Sequence, residues 1–487
     1  MVFKLWQYSR SSSKFQHWEN GTLTHLLKTE KFIRDWVTEA YKFPEIVSEE
    51  VNQKVSFCMM DFLAGLFDSL YLNQSQQIIQ VCAIESAGDV LVPGLPHLMT
   101  RPASALVAGT VGHGLLQEDM HVESTCHIGV VIFPCLFALA QKNKVSGRKF
   151  LQSVNLGYQA MAKLGMVIVT PENSRSFRPL GLAGPVGASL AAAYMLDLTV
   201  DQACNAVNIA SNTAAGLNRW PIDGGAEVYL HAGLAAQNAV LSVLLARQGF
   251  LASAGALMGT AGLVDGYSKQ TATPTILSLS GKPEILSVYH KPAPACNYAQ
   301  TPAQVALKIV NEHKEKIKPQ LISRVNIKSF QSAIEYPGCN STGPFTHILQ
   351  AQMSIQFSVV STLVKRSMNF ENFDDLSHPD IVSLLDKTTL ENDQRLQAKF
   401  PSKQGVSIEV TLSSGEVINS FAEDLIPLTT SEVRHRFQKA AAHALGESQM
   451  LHLEEIISNL ASVEYIDTLL MASIPTLLDG KERISVS

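Results

Sequence analysis

Apolar residues recur at helical spacing along most of this chain. In VNQKVSFCMMDFLAGLF, Val51, Val55, Cys58 and Phe62 step by four, three and four, which draws one apolar stripe on a helix. Pro44 lies just ahead of this helix, where a start is expected. HIGVVIFPCLFALAQ and HAGLAAQNAVLSVLLARQGF continue the pattern, and Gly249 just past Arg247 closes the second. GLAGPVGASLAAAYML is crowded with Ala and Gly, which let helix backbones approach closely and predict a place at the centre of a bundle.

The texture changes near Ser287. Prolines gather in YHKPAPACNYAQTP, and LISRVNIKSF and VSIEVTLSSGEVINSFAEDL then alternate apolar and polar residues. Val406, Ile408, Val410 and Leu412 share one face, and Ser413-Ser414-Gly415 predicts a hairpin turn. An amphipathic helix is expected within HPDIVSLLDKTTL. Helical spacing returns after Pro427, in SEVRHRFQKAAAHALG and MLHLEEIISNLASVEYIDTLLM. The expected fold is mainly α: an all-helical domain interrupted by a smaller α+β domain. The bounds are an N-terminal arm over 1–24, helical residues 25–286, the α+β insertion at 287–428, helical residues 429–476 and a polar tail at 477–487.

Composition narrows the function. Among 487 residues 46% are hydrophobic and only 17% charged, so most helices must be buried. The net charge of −5, with no basic block, argues against nucleic acid, whose phosphates need clustered Lys and Arg. Small anions need only a few cations in one pocket. Seven scattered cysteines without a CxxC pair fit a reducing compartment better than a disulfide framework. The longest apolar run, GVVIFPCLFALA, falls short of the ~20 residues a membrane span needs, so no membrane partner is expected. Lys4, Arg10 and Lys14 among serines, ahead of the first acid at Glu19, mildly resemble an organellar transit segment. A cytoplasmic location is expected, with a mitochondrial one as the alternative. No GxGxxG, GxxxxGK(S/T) or GxSxG occurs, so no nucleotide fold or serine-hydrolase elbow is supported.

The chemistry concentrates in HGLLQEDMHVESTCHIG. His113, His121 and His127 lie eight and six residues apart, beside Glu118 and Asp119. His113 and His121 do not share one helical turn, unlike the pair in HExxH, so a metal site is not expected. An acid–base or substrate-positioning loop is the stronger reading. His127 stands just before a strongly apolar helix, where unpaired backbone N–H groups favour an anion.

This loop resembles the MmgE/PrpD family, which includes 2-methylcitrate dehydratases and cis-aconitate decarboxylases. The likeness runs from about Ile33 to Leu470, through FIRDWV…MMDFLAG, FRPLGLAGPVGASLAAA, LHAGLAAQNA, KPAPACNYAQ and AQMSIQFSVVSTLV in order. The resemblance implies a helical domain with an α+β lid and a site in the cleft between them. It also implies a homodimer that uses neither metal nor organic cofactor. The implied chemistry is proton removal beside a carboxylate with loss of hydroxide or carbon dioxide, which needs a base, an acid and carboxylate-holding cations.

The family loop usually reads Asp-x-Asp-Asp-(Thr/Tyr)-His, and this chain reads Leu116-Gln117-Glu118-Asp119-Met120-His121. Arg178 stands where the family has His, and Val228 where it has Lys, whereas His127 and Lys291 are kept and Cys296 fits a Cys/His position. Arginine stays protonated and cannot shuttle a proton. The catalytic candidates are therefore His127, His121, Glu118, Asp119 and Lys291. Substrate-binding candidates are Arg178, His113, Leu116, Met120, Val228, Cys296 and Tyr298, and no metal ligands are assigned. His231, Gln300 and Arg219 are weaker candidates. His290 is expected to lower the Lys291 pKa by like-charge repulsion if the two are close. His435 and His443 are read as helix-surface residues. The altered positions suggest a substrate with fewer carboxylates or a longer apolar tail than aconitate. The leading expectation is a dehydratase of a citrate-like or alkylcitrate-like acid. The alternatives are a cis-aconitate decarboxylase-like enzyme, an isomerase or cyclase of a less polar metabolite, and an inactive homodimeric scaffold.

Overall fold

The computed structural model describes residues 13–43, 48–268 and 277–475. The polar tail at 477–487, Pro44 and the first twelve residues of the expected arm lie outside them. The rest of that arm belongs to helix α1 (Ser13–Lys42). Ser48 caps α2 (Glu49–Ser69) by accepting from Val51 N, and Val51, Val55, Cys58 and Phe62 are all buried. α3 (Asn73–Glu85) follows.

A hairpin then interrupts the region expected to be all helical: β1 (Ala87–Val92) pairs antiparallel with β2 (Leu95–Met99). Val90 and Val92 alternate inward along β1, a two-residue period that helical spacing elsewhere in the region masks. Next come α4 (Arg101–Gly112), α5 (Gly129–Ala140), α6 (Gly147–Ile168), α7 (Pro179–Met195), α8 (Val200–Ser211) and α9 (Glu227–Arg247). Every residue of α5 is buried.

α7 packs against α6, α8, α9 and α5. A Cβ built on Gly187 would stand 2.6 Å from Met161 Cβ and 2.9 Å from its backbone, so only glycine allows the α6–α7 approach. α9 is long and apolar enough to cross a membrane by length and composition. It lies against α4, α7 and α8 within the bundle.

The later region holds α10 (Gln300–Glu312), β3 (Ile322–Ser329), α11 (Ile355–Lys365), β4 (Thr388–Asn392), β5 (Val406–Leu412) and β6 (Val417–Ala422). The strand order is β4-β3-β5-β6, with β3–β4 parallel and the other pairs antiparallel. HPDIVSLLDKTTL divides into a short helix (Pro379–Leu385) and β4, because Thr388 begins pairing with β3. Val406, Ile408, Val410 and Leu412 are buried as the alternation predicts. α12 (Thr430–Leu445) opens with a Thr429/Glu432 capping box and packs back on α2, followed by α13 (Glu447–Ser458).

Apolar packing forms two main cores. The larger spans α1 to α9 and returns at α12 and α13. The second is built around the four-stranded sheet, α10 and α11, and it takes in Leu116, Trp220, Val228 and Tyr229 from the helical region. Over the described residues the chain is thus mainly helical with two small sheets, and the two cores meet beside the 113–129 loop.

Replacing Gly187 by Val should push α6 from α7 and cost at least about 2 kcal/mol, as overpacking does. A urea midpoint equal to that of the parent chain would contradict this packing.

Candidate active site

Helix α4 ends at Gly112, with His113 capping it, and α5 begins at Gly129, so the polar loop crosses between two buried helices. Part of it is extended. Met120 bridges to Tyr289, and His121 bridges to Cys126. Neighbouring side chains in extended backbone face opposite ways, so Met120 lines the cavity while His121 turns away to Glu284.

Glu118 is buried between two of the histidines. Its Oε1 lies 2.7 Å from His113 Nδ1 and 3.4 Å from His127 Nδ1. Closeness rather than alignment makes these contacts, since neither Glu118 oxygen has an aligned hydrogen-bond donor. Burial opposes its charge, but His113, His127 and Lys291 together hold the carboxyl well below its ordinary value. On the far side of His113, Arg178 Nη2 donates to Nε2 at 2.8 Å. Arginine has no lone pair to offer, so the His113 proton sits on Nδ1, facing Glu118.

His127 donates from Nδ1 to the carbonyl of Asp119 at 3.0 Å. Its Nε2 keeps the lone pair, and the ring lines a cavity. Burial and then Lys291 hold His127 well below the usual imidazole pKa, so it stands neutral.

Lys291 is fully buried and lines the same cavity. Its Nζ donates to the carbonyls of Leu116 and Ala295. Burial lowers its pKa, and Glu118 opposes that shift. The expected cause, His290, points elsewhere: its Nδ1 meets Asp61 Oδ2 at 3.1 Å, and its Nε2 accepts from Lys54 Nζ at 3.1 Å. Burial and then Lys54 bring His290 down to about 3, so it carries no charge to repel the lysine. Asp61 also pairs with Arg436, which donates to the Lys291 carbonyl at 3.0 Å. α2, α12 and the 288–291 segment are thereby tied together behind the lysine.

The cavity is further lined by Leu116, Met120, Thr125, Arg178, Trp220, Cys296, Asn297, Tyr298, Tyr336 and Met353, and its volume is about 30 Å³. That admits one or two waters. A wider cleft of about 340 Å³ adjoins it through Thr125, Tyr298 and Tyr336. The Arg175–Glu335 pair, at 2.7 Å, spans this cleft. Arg178 lies 5.3 Å from the Trp220 ring, and its Nε has no hydrogen-bond partner. The wall thus offers a neutral imidazole, two cations and an otherwise largely apolar and phenolic surface.

Several sequence-predicted residues lie elsewhere. Asp119 accepts from Gly129 N at 3.1 Å and from Tyr158 OH at 2.5 Å, so its carboxylate pins the start of α5 rather than facing the cavity. His121 accepts at Nδ1 from Ser124 N at 3.3 Å and donates from Nε2 to Glu284 at 3.2 Å. That bond to His121, with Lys163, brings Glu284 down to about 2. His113 sits behind the wall, in contact with Glu118 and Arg178. Val228 is packed in the second core instead of lining the cavity, because its apolar side chain joins Leu116 and Trp220 there. Gln300 braces the loop through the carbonyls of Ala293, Ala295 and Cys296. Arg219 is exposed and pairs with Asp223 at 2.9 Å. His231 is buried beside Arg178, and burial first and then Arg178 bring it to about 3. His435 and His443 are exposed as expected.

Thr125, Trp220, Asn297, Tyr336 and Met353 were not anticipated. Thr125, Asn297 and Met353 stand inside motifs already singled out, whereas Trp220 and Tyr336 arrive by long-range packing that leaves no local signal. Among the described residues, no group of three or more His, Cys, Asp or Glu side chains is arranged to hold a metal ion.

The MmgE/PrpD N-terminal domain matches residues 34–275, and the MmgE/PrpD C-terminal domain matches residues 293–462. The chain is 23% identical over 467 residues to a cis-aconitate decarboxylase-like protein, oryM, of Aspergillus oryzae, across 90% of this chain and 95% of that protein. It is 21% identical over 457 residues to a cis-aconitate decarboxylase of Aspergillus terreus, across 87% of this chain and 92% of that protein.

The buried imidazoles set a pH dependence. His231 and His290 fall to about 3 in the fold, and His113 and His127 are also lowered. The unfolded chain binds these protons more readily, so stability is full above about pH 6.5 and declines as the pH falls toward the folded values. Urea midpoints measured from pH 7 to pH 4 should fall, and His231→Asn should make the slope shallower. A flat profile would show that these rings are not held neutral.

Proposed function

Because the chain belongs to the MmgE/PrpD family over both of that family's domains, we propose that it is a lyase that removes a proton beside a carboxylate. The proposed reaction is dehydration of a citrate-like or alkylcitrate-like acid, without metal or organic cofactor. The observation that carries this reading is the cavity shared by His127, Arg178 and Lys291.

His127 Nε2 takes the proton. The Asp119 carbonyl fixes the ring by holding its Nδ1 proton, so the lone pair stays directed at substrate. The electron pair left on carbon spreads into the adjacent carboxylate, where Lys291 and Arg178 meet the growing charge. The β-hydroxyl then leaves as water, with its proton drawn from the imidazolium just formed or from Tyr298 or Tyr336. Glu118 sits behind His127, where its negative charge favours the imidazolium as the proton arrives. Asp119 and His121 act by holding the loop rather than by touching substrate.

Two cations face the cavity, which suits two carboxylates, and Leu116, Met120, Trp220 and Met353 suit an apolar remainder. The cavity is too small for such an acid as it stands, so the proposal includes an opening. Residues 287–428 serve as a lid on the helical domain, parting along the cleft spanned by Arg175 and Glu335. A homodimer belongs to the same proposal. Leu234 and Leu241 are exposed on α9, with Phe250 and Leu251 just beyond it, and they offer an apolar face for a second copy.

Decarboxylation of a cis-aconitate-like acid is the second reading, favoured by the names of the two relatives. That reaction starts by delivering a proton to the alkene. A neutral His127 is better prepared to accept one, which ranks dehydration first.

Incubation with citrate, 2-alkylcitrates and cis-aconitate, followed by product analysis, should give an alkene acid from a hydroxy acid. His127→Ala should lower kcat by about 10²–10⁴-fold. Lys291→Met should raise KM by roughly tenfold or more, through loss of a charge-assisted contact. Parental turnover by His127→Ala would overturn the assignment of the base. Carbon dioxide released from cis-aconitate, without dehydration of any hydroxy acid, would establish the second reading.

A further inference from the structure

Cys296 and Cys339 are both buried, and their Sγ atoms lie 3.6 Å apart. They are 43 residues apart in the chain. Cys296 precedes the short helix Asn297–Ala299, and Cys339 follows the turn after Gln331–Glu335. Only Cys296 lines the cavity, where Tyr298 and Tyr336, from the same two segments, stand beside it. The proposed dehydration uses neither thiol.

We propose that Cys296 and Cys339 form a peroxide-sensitive dithiol in the cavity wall, Cys296 being the sulfur that peroxide attacks and Cys339 the one that closes the disulfide. Three observations carry this. A cavity of about 30 Å³ excludes large oxidants but admits hydrogen peroxide, which is little bigger than water. The surroundings favour thiolate at Cys296: the Cys339 thiol donates to it, and Lys291 and Arg178 add positive charge, so its pKa is lowered. Burial and its neighbour push Cys339 the other way, which leaves it the proton-bearing partner.

In the first step the Cys296 thiolate attacks one peroxide oxygen. An S–O bond forms, the O–O bond breaks, and hydroxide leaves to take up a proton as water. Cys339 then loses its proton and attacks Cys296 Sγ. The S–S bond forms, the S–O bond breaks, and a second water leaves. Two thiols are oxidised, and one peroxide is reduced to two waters.

Closing the bond brings the sulfurs from 3.6 Å to about 2.05 Å. That ties together the segments bearing Tyr298 and Tyr336, which form the boundary between the cavity and the outer cleft. The disulfide is therefore expected to hinder carboxylate binding. This consequence rests on the proposed function, whereas the thiol chemistry does not.

The full-length chain, treated with stoichiometric hydrogen peroxide and alkylated, is mapped by non-reducing peptide mass spectrometry. The expected product is a Cys296–Cys339 linked peptide about 2 Da lighter than the two thiol peptides together, reversed by dithiothreitol. Cys204, the most exposed of the seven cysteines, should remain alkylatable at that dose. Cys339→Ser should leave a Cys296 sulfenic acid that dimedone captures, and Cys296→Ser should leave Cys339 unmodified. Oxidation of Cys204 before this pair, or a dimedone adduct on Cys339 in Cys296→Ser, would overturn the proposal. Citrate binding by calorimetry separates the consequence from its premise, with Lys291→Met as reference. If the parent binds citrate, Lys291→Met does not, and the cross-linked chain still does, the effect on binding is refuted. If the parent itself fails to bind citrate, the substrate reading fails, and the peptide map still decides the thiol chemistry.

Discussion

The arrangement hangs on one buried carboxylate. Glu118 is taken out of water between two imidazoles, with Lys291 nearby, and these three neighbours keep it ionised. Its neighbours depend on it in turn. Without that negative charge, a fully buried lysine and an arginine beside a neutral His113 would face each other uncompensated, a cost of several kcal/mol per buried ion. Two hydrogen bonds of opposite sense then set the ring protons: Arg178 donates to His113, and His127 donates to a backbone carbonyl. Two ordinary hydrogen bonds thus prepare the base proposed above.

The second requirement is that Lys291 come near enough to this carboxylate for their charges to interact, although it belongs to a different part of the chain. It lies on the segment that leads from the larger core to the smaller one, and its own backbone is held by Arg436 from α12. Asp61, His290 and Lys54 complete that anchor from α2 and the segment itself. A cation brought in from a distant stretch of sequence needs such bracing, because its ammonium touches only carbonyl oxygens. The helical body therefore does more than bury apolar surface: it fixes where the smaller core's wall stands.

Much of this was legible in the residues. Helical spacing placed α2, α5, α7, α9 and α12, and period-two alternation placed β3, β5 and β6. The hairpin at Ala87–Met99 was missed because its strands are short and lie among helices. The parallel partner Thr388–Asn392 was missed because its pairing is supplied by a strand 63 positions earlier. In the site, His127, Arg178, Lys291, Leu116, Met120, Cys296 and Tyr298 could be found because they stand in short motifs. Asp119 and His121 belong to those motifs too, but their side chains pair with Tyr158 and Glu284 away from the cavity. Trp220 and Tyr336 reach the wall through packing between the two cores, which no local window contains, whereas Met353 stands in the quoted AQMSIQFSVVSTLV. Val228 reads as a lost anchor in the linear pattern, and in space it is an ordinary member of the second core.

Leu116 stands in the left-handed backbone region, with φ 53°. Leucine gains nothing from that conformation, whereas Asp and Asn are several-fold enriched there. Its carbonyl, not its side chain, is what Lys291 grips. An acidic side chain at this point would find its main-chain geometry already in place, so exchanging a greasy wall for a proton-carrying one asks nothing of the loop's path. The spot is one where the chemistry of the wall can change without rebuilding the scaffold around it.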